Sequence, residues 1–522
     1  MKRIPAFLIG AIFPLLLTAQ NVERGGCMPD FDTEATHQHR ARKKLPPIKK
    51  DWDSTRVYKH PVVLLNFKGD STYFTQKHTK AYYDSLFNAH GFNERDGKGC
   101  IADYFREQSN GLLNLKFDVF GPYEVSQKAQ GRKNPTENTK DYNKEALGEA
   151  LNAFVAENAD LDFSQYDWNG DKSIEQVIFV YAGTSGNINS PLCWGHIWPH
   201  TSFLDTTITT KSGYQLSDYT CSGEIWPNNV SYGLGTICHE YSHFLGLPDL
   251  YPVNLWQYTA VDEWDLMDGG NFTNYGWCPP NYSPMLKMLL GWAKPIELTN
   301  PTSIVNLKPV SQGGECYKIS HSDNEFYLLE NRQWEGWDAG LPGKGLVIYH
   351  VYYLPIEWAG NTVNNTKGQL HYELVNADDL NYNEWDQLLT QRGLARSPYR
   401  NKRNMNNYHL SSSAYPCITD STSTWNDSLT NTSVPASVMI TKNAAAETLL
   451  SKAITDIRMT EEGLISFNFM GGDPAILEVK HPKTSRNPAL CYQLDGTIRH
   501  QTGKKGIFII RKENGEIIKF IR

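Results

Sequence analysis

One short segment constrains this chain more than any other, namely Thr236 to Tyr251, which reads TICHEYSHFLGLPDLY. It contains the pattern His-Glu-x-x-His, with His239 and His243 four residues apart. On an α-helix this spacing places both imidazoles on one face, one turn apart, where they can bind a single metal ion. A catalytic zinc ion normally has three protein ligands and a fourth position open to water. The segment therefore predicts a helix with a metal-binding face and requires a third ligand from elsewhere.

Two acidic residues are candidates for the third ligand, Asp249 and Glu263. Gly246 can adopt the left-handed conformation that ends a helix and turns the chain back toward the histidines. Asp249 follows three residues later with a short carboxylate, a competent zinc ligand, and is the predicted one. Glu263 lies at the distance from His243 at which one class of zinc exopeptidases has its third ligand, and it remains the alternative. Gly246 disfavours that class, which needs a longer helix.

Glu240 follows the first histidine directly and is the candidate general base. Zinc lowers the pKa of a bound water molecule toward about 7, and a carboxylate beside the metal can accept the proton. That water can then hydrolyse a peptide bond without a covalent enzyme intermediate. The alternative is a non-catalytic secreted adhesin or carbohydrate-binding protein, but such a protein has no need of Glu240. The sequence therefore predicts a zinc-dependent endopeptidase that acts on proteins or peptides.

Several motifs give the chain a resemblance to a known family. HEYSHFLGLPDLY and the downstream EWDLMDGG, which contains Met267, resemble the immune inhibitor A family of secreted bacterial zinc metallopeptidases, which are metzincin-like. IADYFREQSNGLLNLKFDVFGPY, IWPH, MLKMLLGW and YLLENRQ match as well, and the similarity runs from about Asp53 to Met470. The resemblance implies an α+β fold with a metzincin-like catalytic domain, zinc bound by the two histidines and Asp249, and a methionine turn below the metal.

Two positions depart from the family pattern. Pro252 stands where relatives often have an Asp, and Gly269 stands where several metzincins have a Tyr that assists the oxyanion. Tyr275 and Tyr282 are the candidates to replace that Tyr, and the sequence does not decide between them.

Changes in composition and residue pattern along the chain predict five segments. Residues 1–19 have a basic start and an apolar run shorter than the ~20 residues of a membrane span, as in a signal peptide. Residues 20–52 are polar and basic, as in a leader or propeptide. Residues 53–298 alternate strand and helix patterns and form the predicted catalytic domain, whereas residues 299–475 carry short strand patterns that predict a β-sandwich-like domain. Residues 476–522 end in a predicted hairpin and resemble the end of a sorting tail from Bacteroidetes-type bacteria.

Charge and apolar patterning limit the partners. The net charge of the 522-residue chain is -7, which gives no indication of a nucleic-acid partner. No segment after the predicted signal peptide is long and apolar enough to span a membrane. We therefore expect a bacterial protein that is secreted or held at the cell surface; its oligomeric state is not indicated.

A second set of candidate ligands lies in the segment YDWNGDKSIEQV, where Asp167, Asn169, Asp171 and Glu175 supply side-chain oxygens. Calcium favours oxygen ligands, and the resembled family often has an Asp-rich loop here, so we predict a structural calcium site. The loop is not an EF-hand, because its sixth position is Lys172 rather than Gly. The alternative is an Asp/Asn turn that leads into the next strand.

The cysteines allow further interpretations. Cys193, His196 and His200 in CWGHIWPH form a candidate second metal cluster, but a disulfide at Cys193 is favoured because exported proteins permit disulfides. Cys238 lies beside the first histidine and is expected in the core or in a disulfide. Cys27, in GGCMPDF, is a candidate cysteine switch that would block the zinc ion until the leader is removed.

Overall fold

The computed structural model describes residues 45–130, residues 143–473 with short gaps, and four strands beyond residue 489. The gaps are 189, 191, 194, 255–258, 367, 382–383, 385–409, 420–422 and 444–445. The predicted signal peptide, Cys27 and most of the predicted leader lie outside the described residues. The chain divides into two compact units, residues 1–473 and residues 474–522.

The first half of the larger unit is built around one five-stranded sheet. Its strands and helices are β1 (Tyr58–Phe67), α1 (Lys80–Asn88), α2 (Ile101–Gln108), β2 (Leu115–Val125), α3 (Lys144–Glu157), β3 (Val177–Thr184), β4 (His200–Thr209), β5 (Gln215–Ile225), α4 (Gly235–Phe244) and α5 (Pro284–Leu289), with 3-10 turns at Phe163–Tyr166, Asp262–Trp264 and Gly269–Gly276. The strand order is β2-β1-β3-β5-β4. All neighbours are parallel except β4, which runs antiparallel to β5 at the edge.

The sequence of β1 explains why helices cover both faces of this sheet. Val62 and Leu64 point into one hydrophobic core, which also contains the apolar residues of α1, α2 and α4. Val63, Leu65 and Phe67 point into a second core on the opposite face, which α3 covers. Side chains alternate between faces along a strand, so a continuously apolar strand is stable only when both faces are buried. The predicted α+β character is confirmed.

Helix α4 carries the His-Glu-x-x-His pattern and is buried along its whole length. It ends at Phe244 with Leu245 as its C-cap, and Gly246 follows with φ of 96°. The amides of Gly246 and Leu247 donate to the carbonyls of His243 and Ser242, which satisfies the end of the helix. The helix therefore breaks where the sequence predicted.

The second half of the larger unit is rich in short strands. Its elements are β6 (Ile296–Glu297), β7 (Thr302–Leu307), β8 (Tyr317–Ser320), β9 (Glu325–Arg332), β10 (Gly345–Tyr352), α6 (Pro355–Gly360), β11 (Tyr372–Leu374), β12 (Cys417–Ile418), β13 (Trp425–Asn426), β14 (Ile454–Met459) and β15 (Ile465–Phe469), with 3-10 turns at Val310–Gln312 and Gly336–Gly340. They form a five-stranded sheet in the order β11-β10-β9-β8-β6, a three-stranded sheet β14-β15-β7 and the pair β12-β13.

Strand β9 shows that this β-rich part is not a free-standing sandwich. Tyr327 and Leu329 face the core shared with β7, β14 and β15. Phe326 and Leu328 face the opposite way, into the core that also contains helix α4. The sheet β11-β10-β9-β8-β6 is therefore buried on both faces, and one of these faces packs on the part of the chain that carries the histidines. The predicted β-sandwich is not confirmed, and a domain boundary near residue 298 stays a prediction.

The smaller unit is a four-stranded antiparallel sheet. Its strands are β16 (Leu490–Tyr492), β17 (Ile498–Arg499), β18 (Ile507–Arg511) and β19 (Ile517–Ile521), in the order β17-β16-β18-β19. The antiparallel pairing of β18 with β19 confirms the predicted hairpin. A sorting role stays a prediction.

Within the described residues, no helix is both long enough and apolar enough to span a membrane.

Candidate metal centre

Three side chains converge beside helix α4. The Oδ1 of Asp249 lies 3.1 Å from Nε2 of His239 and 3.3 Å from Nε2 of His243. One ligand atom from each residue lies within 4.8 Å of the other two, and the part of the chain that the structure describes contains no second such group of His, Cys, Asp and Glu. All three side chains are buried. The two predicted histidines and the predicted Asp are thus brought together.

Hydrogen bonds to the other ring nitrogens fix which way the imidazole lone pairs point. His239 Nδ1 lies 2.8 Å from the carbonyl oxygen of Leu266, and His243 Nδ1 lies 2.8 Å from that of Leu247. A carbonyl can only accept, so each Nδ1 carries a proton, and in the neutral ring Nε2 presents a lone pair. Two lone pairs then face the Asp249 carboxylate. Acceptors held this close require a cation between them, so the three residues fit a divalent metal such as zinc.

The electrostatics of Asp249 agree with this arrangement. Burial by itself would raise the pKa of this carboxyl group, but positive charge on His243 and His239, together with their hydrogen bonds, outweighs it and holds the pKa well below its usual range; a bound metal ion would supply that positive charge when the imidazoles are neutral. The carboxylate is therefore ionised at neutral pH and available as a ligand.

The turn at Gly246 delivers Asp249 to the histidines. A side chain at position 246 would meet the Cα of Ile48 at 2.7 Å and the carbonyl oxygen of Pro46 at 2.8 Å, besides being strained at the positive φ. After the turn, the amide of Leu250 donates to the carbonyl of Met267 at 2.8 Å. The glycine is thus required both by its backbone conformation and by the segment packed against it.

The methionine turn contacts His239 through the carbonyl of Leu266. Met267 is fully buried, and its amide donates to Oδ1 of Asp265 at 2.8 Å. The other oxygen of Asp265 accepts from the amide of Ser283 at 3.1 Å. Asp265 therefore fixes the backbone that offers the Leu266 carbonyl to His239.

Glu240 directly follows His239 on α4. It is fully buried, and its carbonyl accepts a hydrogen bond from Thr201 Oγ1 on the edge strand β4. Burial raises the pKa values of Tyr181 and Cys221 well above their usual range, and the charge of Glu240 contributes to both shifts. The Glu240 side chain therefore lies within electrostatic range of strands β3 and β5, and its role as the general base stays a prediction.

Other residues singled out in the sequence lie elsewhere. Glu263 is buried in the 3-10 turn Asp262–Trp264 and supplies no atom to the converging group. The hydroxyl of Tyr282 is hydrogen-bonded to Ser242 Oγ, on another side of α4. The guanidinium carbon of Arg95 lies over the ring of Tyr275, 4.6 Å from the ring centroid. Assistance of the oxyanion by either Tyr stays a prediction.

Sequence reasoning missed one side chain at this site. Asn361, the C-cap of α6, is buried and bonds to Asp249 across a sequence separation of 112 residues. No local pattern marks it, because only the folded β-rich part brings it to the site.

The predicted calcium loop forms a set of internal turns. Asp167 accepts from the amides of Gly170 and Lys172, and Asp171 accepts from that of Ser173. Glu175 turns inward instead, where it accepts from the Trp168 amide, and burial raises its pKa to about 7. These contacts are those of the alternative Asp/Asn turn, and calcium binding by this loop stays a prediction.

The disulfide predicted at Cys193 is not found. Cys193 is a free thiol, and so are Cys100, Cys221, Cys238 and Cys316. All except Cys316 are buried, as small apolar side chains often are. Cys238 lies in the core, one of the two predicted places.

The candidate cluster of Cys193, His196 and His200 does not assemble either. His196 Nδ1 bonds to Thr184 Oγ1 at 2.7 Å, and His200 Nε2 bonds to the Tyr219 hydroxyl at 2.5 Å. Each imidazole is thus hydrogen-bonded to a separate neighbour.

Residues 45–52, which the sequence assigns to the leader, pack along the end of α4; we call them the N-terminal strap. The Lys49 amide donates to the carbonyl of Leu245 at 3.1 Å, and its ammonium lies 4.7 Å from the Phe244 ring centroid. The indole N–H of Trp52 donates to the carbonyl of Leu290 at 3.0 Å. The strap therefore covers the turn that leads to Asp249.

Comparison with known proteins adds an independent finding. The family model for the immune inhibitor A peptidase M6 catalytic domain matches residues 65–287. Immune inhibitor A from Bacillus thuringiensis subsp. alesti is 26% identical over 43% of this chain and 38% of that protein. The pre-pro-metalloprotease PrtV from Vibrio cholerae serotype O1 (strain M66-2) is 25% identical over 46% of this chain and 28% of that protein. The chain thus matches less than half the length of either relative.

The matched residues contain strands β2 to β5 and the end of β1, helix α4, the three converging side chains and the methionine turn. The motifs and the family model agree: residues 65–287 match the catalytic domain of the immune inhibitor A (M6) family of peptidases.

Proposed function

We propose that the chain is a secreted zinc-dependent endopeptidase that hydrolyses peptide bonds in proteins. The observation that carries the proposal is the meeting of His239, His243 and Asp249 at 3.1 and 3.3 Å, with Glu240 on the same helix. The match of residues 65–287 to a peptidase family supports it.

In the proposed mechanism the two histidines and Asp249 hold the zinc ion, and Glu240 moves the proton. Zinc, when bound, supplies Lewis-acid polarisation of the substrate carbonyl and acidifies a water molecule. Glu240 accepts a proton from the attacking water and passes it to the nitrogen of the leaving amine. The peptide C–N bond breaks, and the products are a carboxylate and an amine.

The choice of zinc follows from the donors. Two neutral imidazoles and one carboxylate form a mixed nitrogen and oxygen set that suits zinc better than it suits calcium or magnesium. With one negative ligand the site carries a net charge of about +1, so we expect the metal to acidify water less than it does with three histidines.

The alternative functions receive less support. An exopeptidase arrangement needs Glu263 as the third ligand, and that residue supplies no atom to the converging group. An adhesin or carbohydrate-binding protein would not need Glu240 buried beside a ligand cluster. Export by a signal peptide, calcium binding and a specificity for internal peptide bonds belong to the proposal and rest on the sequence.

The test uses three single substitutions in the full chain, with cleavage of a denatured protein and zinc content as readouts. Glu240→Ala should keep zinc and lose hydrolysis, since it removes only the base. Asp249→Ala should lose zinc under mild chelation, whereas Glu263→Ala should keep both zinc and activity. Near-normal turnover by Glu240→Ala would refute the mechanism. If Glu263→Ala loses zinc and Asp249→Ala keeps it, the exopeptidase arrangement replaces the proposed ligand set.

A further inference from the structure

The side-chain amide of Asn361 is hydrogen-bonded to both the backbone amide and the carboxylate of Asp249. The Asp249 amide donates to Oδ1 of Asn361 at 2.6 Å, and Nδ2 of Asn361 donates to Oδ2 of Asp249 at 2.8 Å. The orientation of the Asn361 amide follows from its partners, since a backbone N–H can only donate and a carboxylate can only accept. Asn361 is buried, so these bonds are shielded from competing water.

The two oxygens of Asp249 therefore have different partners. Oδ1 faces the Nε2 atoms of His239 and His243, whereas Oδ2 is engaged by Asn361. A carboxylate can bind a metal through one oxygen or through both. With Oδ2 fixed in this way, rotation of the carboxylate that would present both oxygens breaks a buried hydrogen bond.

The backbone at Asn361 suits this residue. It is the C-cap of α6, with φ of 57° and ψ of 43°, in the left-handed region that Asn and Gly adopt most readily. Asn364, three residues further along the chain, adds a second contact to the loop that contains Asp249. Asn364 Nδ2 donates to the carbonyl of Leu250 at 2.6 Å, so the two asparagines hold consecutive residues of the same loop.

We infer that Asn361 is a positioning residue of the metal site, which restricts Asp249 to binding through Oδ1 alone. The inference rests on the proposed zinc site. It also means that the β-rich part, beyond the residues 65–287 that match the peptidase family, contributes to the metal centre.

Asn361→Gly tests this, because Gly removes the side chain and tolerates the positive φ. In the full chain we expect zinc affinity, measured by competition with a chelator, to fall about 10–100-fold, as for other residues that orient a ligand. In protein loaded with Co2+, the visible absorption should weaken, because release of Oδ2 raises the coordination number above four. The melting temperature of the metal-free protein should fall as well, because the buried amide and Oδ2 of Asp249 lose these hydrogen bonds.

Asn364→Ala is the matched control, since it braces the same loop without touching the ligand. It should lower the melting temperature of the metal-free protein and leave the cobalt spectrum unchanged. Asn361→Asp is the second variant if the Gly variant does not fold. It cannot donate to Oδ2 at neutral pH and should shift the cobalt spectrum in the same direction; its added charge also acts on affinity, so only the spectrum is read.

Two results would overturn the inference. One is an unchanged zinc affinity and cobalt spectrum in Asn361→Gly while Asp249→Ala loses zinc. The other is an equal spectral change in Asn364→Ala, which would make the effect a general loosening of the loop. If Asp249→Ala itself binds zinc as the parent does, the proposed ligand set fails, and the inference fails with it.

Discussion

The Nδ1 atom of His239 lies 2.8 Å from the carbonyl oxygen of Leu266, one residue before the methionine of the buried turn. This hydrogen bond joins the helix that supplies two candidate ligands to a turn 27 residues further along the chain. It fixes the tautomer of His239, so that Nε2 is left to face Asp249. The methionine turn thus orients a ligand through its backbone, and the residues that hold this backbone become targets for mutation.

Asp265 is the first such target. Its carboxylate accepts from the amides of Met267 and Ser283, so Asp265→Ala removes both supports of the turn. We expect zinc affinity to fall about 10–100-fold, because the Leu266 carbonyl no longer holds His239 in place. Chelator competition on Asp265→Ala, with Asp265→Asn as the variant that keeps one acceptor, measures the effect. Equal affinity in all three proteins would show that the turn does not orient the ligand.

The central site illustrates how far sequence reasoning reaches. The spacing of His239 and His243 and the glycine at 246 are local signals, and the predicted convergence with Asp249 is present. The contact from Asn361 was not predictable, because it depends on how the β-rich part packs against the helix. The sequence also could not show that Phe326 and Tyr327 of β9 pack into different cores. A strand buried on both faces lacks the alternation of apolar and polar residues that would reveal its two sides.

The expectation of disulfides failed for a different reason. It was drawn from the predicted cellular location, and no spacing of cysteines in a sequence determines which sulfur atoms approach each other.

The N-terminal strap was misleading as well. Its prolines and lysines are typical of a linker, but Ile48 and Trp52 pack on the folded chain. The close approach of its backbone to Gly246, together with its hydrogen bonds to Leu245 and Leu290, makes its position specific.

The strap gives the second prediction. A chain that begins at Asp53 loses the hydrogen bonds from Leu45 to Ala359, from Lys49 to Leu245 and from Trp52 to Leu290. At about 0.5–1.5 kcal/mol for each bond, the free energy of unfolding should fall by roughly 2–4 kcal/mol. Chemical denaturation of this chain is compared with that of a chain that begins at Leu45, which keeps the whole strap. If the two chains unfold at the same denaturant concentration, the strap does not stabilise the fold.

The third prediction concerns calcium. If the loop that contains Asp167 and Asp171 binds this ion, then calcium at a hundredfold excess over its Kd should raise the free energy of unfolding by about 2.7 kcal/mol. Asp171→Ala should abolish the calcium-dependent rise in melting temperature. Asp160→Ala, at an exposed ion pair with Lys211, is the control and should keep it. A rise that persists in Asp171→Ala would assign calcium binding to another part of the chain.

The fourth prediction is a pH dependence that arises in the β-rich part, from one residue on β9 and one on β10. His350 Nε2 donates to Oε1 of Glu325 at 2.8 Å, and both side chains are buried. Burial by itself lowers the pKa of His350, but the hydrogen bonds to Glu325 and Glu373 outweigh it and raise the pKa from 6.5 to about 9. Burial likewise raises the pKa of Glu325, but His350, Thr441 and backbone amides reverse this and lower the pKa from 4.5 to about 2.

The direction of the effect follows from these pKa values. His350 contributes stability that is fully present below about pH 6.5 and is lost as the pH rises through about 9. Glu325 contributes stability that is fully present above about pH 4.5 and is lost as the pH falls through about 2. Both contributions are therefore complete between about pH 4.5 and 6.5. His350→Gln should lower the free energy of unfolding by about 3–5 kcal/mol at pH 6, the usual effect of removing one partner of a buried pair.

Denaturant titrations of the metal-free parent and of His350→Gln at pH 6, 8 and 10 measure this difference. It should shrink between pH 8 and 10, because His350 of the parent then loses the proton that makes the pair. Glu373→Gln is the matched control; Glu373 contacts the same imidazole at 3.4 Å and is partly exposed, so its loss should lower the free energy of unfolding far less. A difference between parent and His350→Gln that stays constant from pH 6 to pH 10 would mean that the ring is held neutral, and that its role is packing rather than charge.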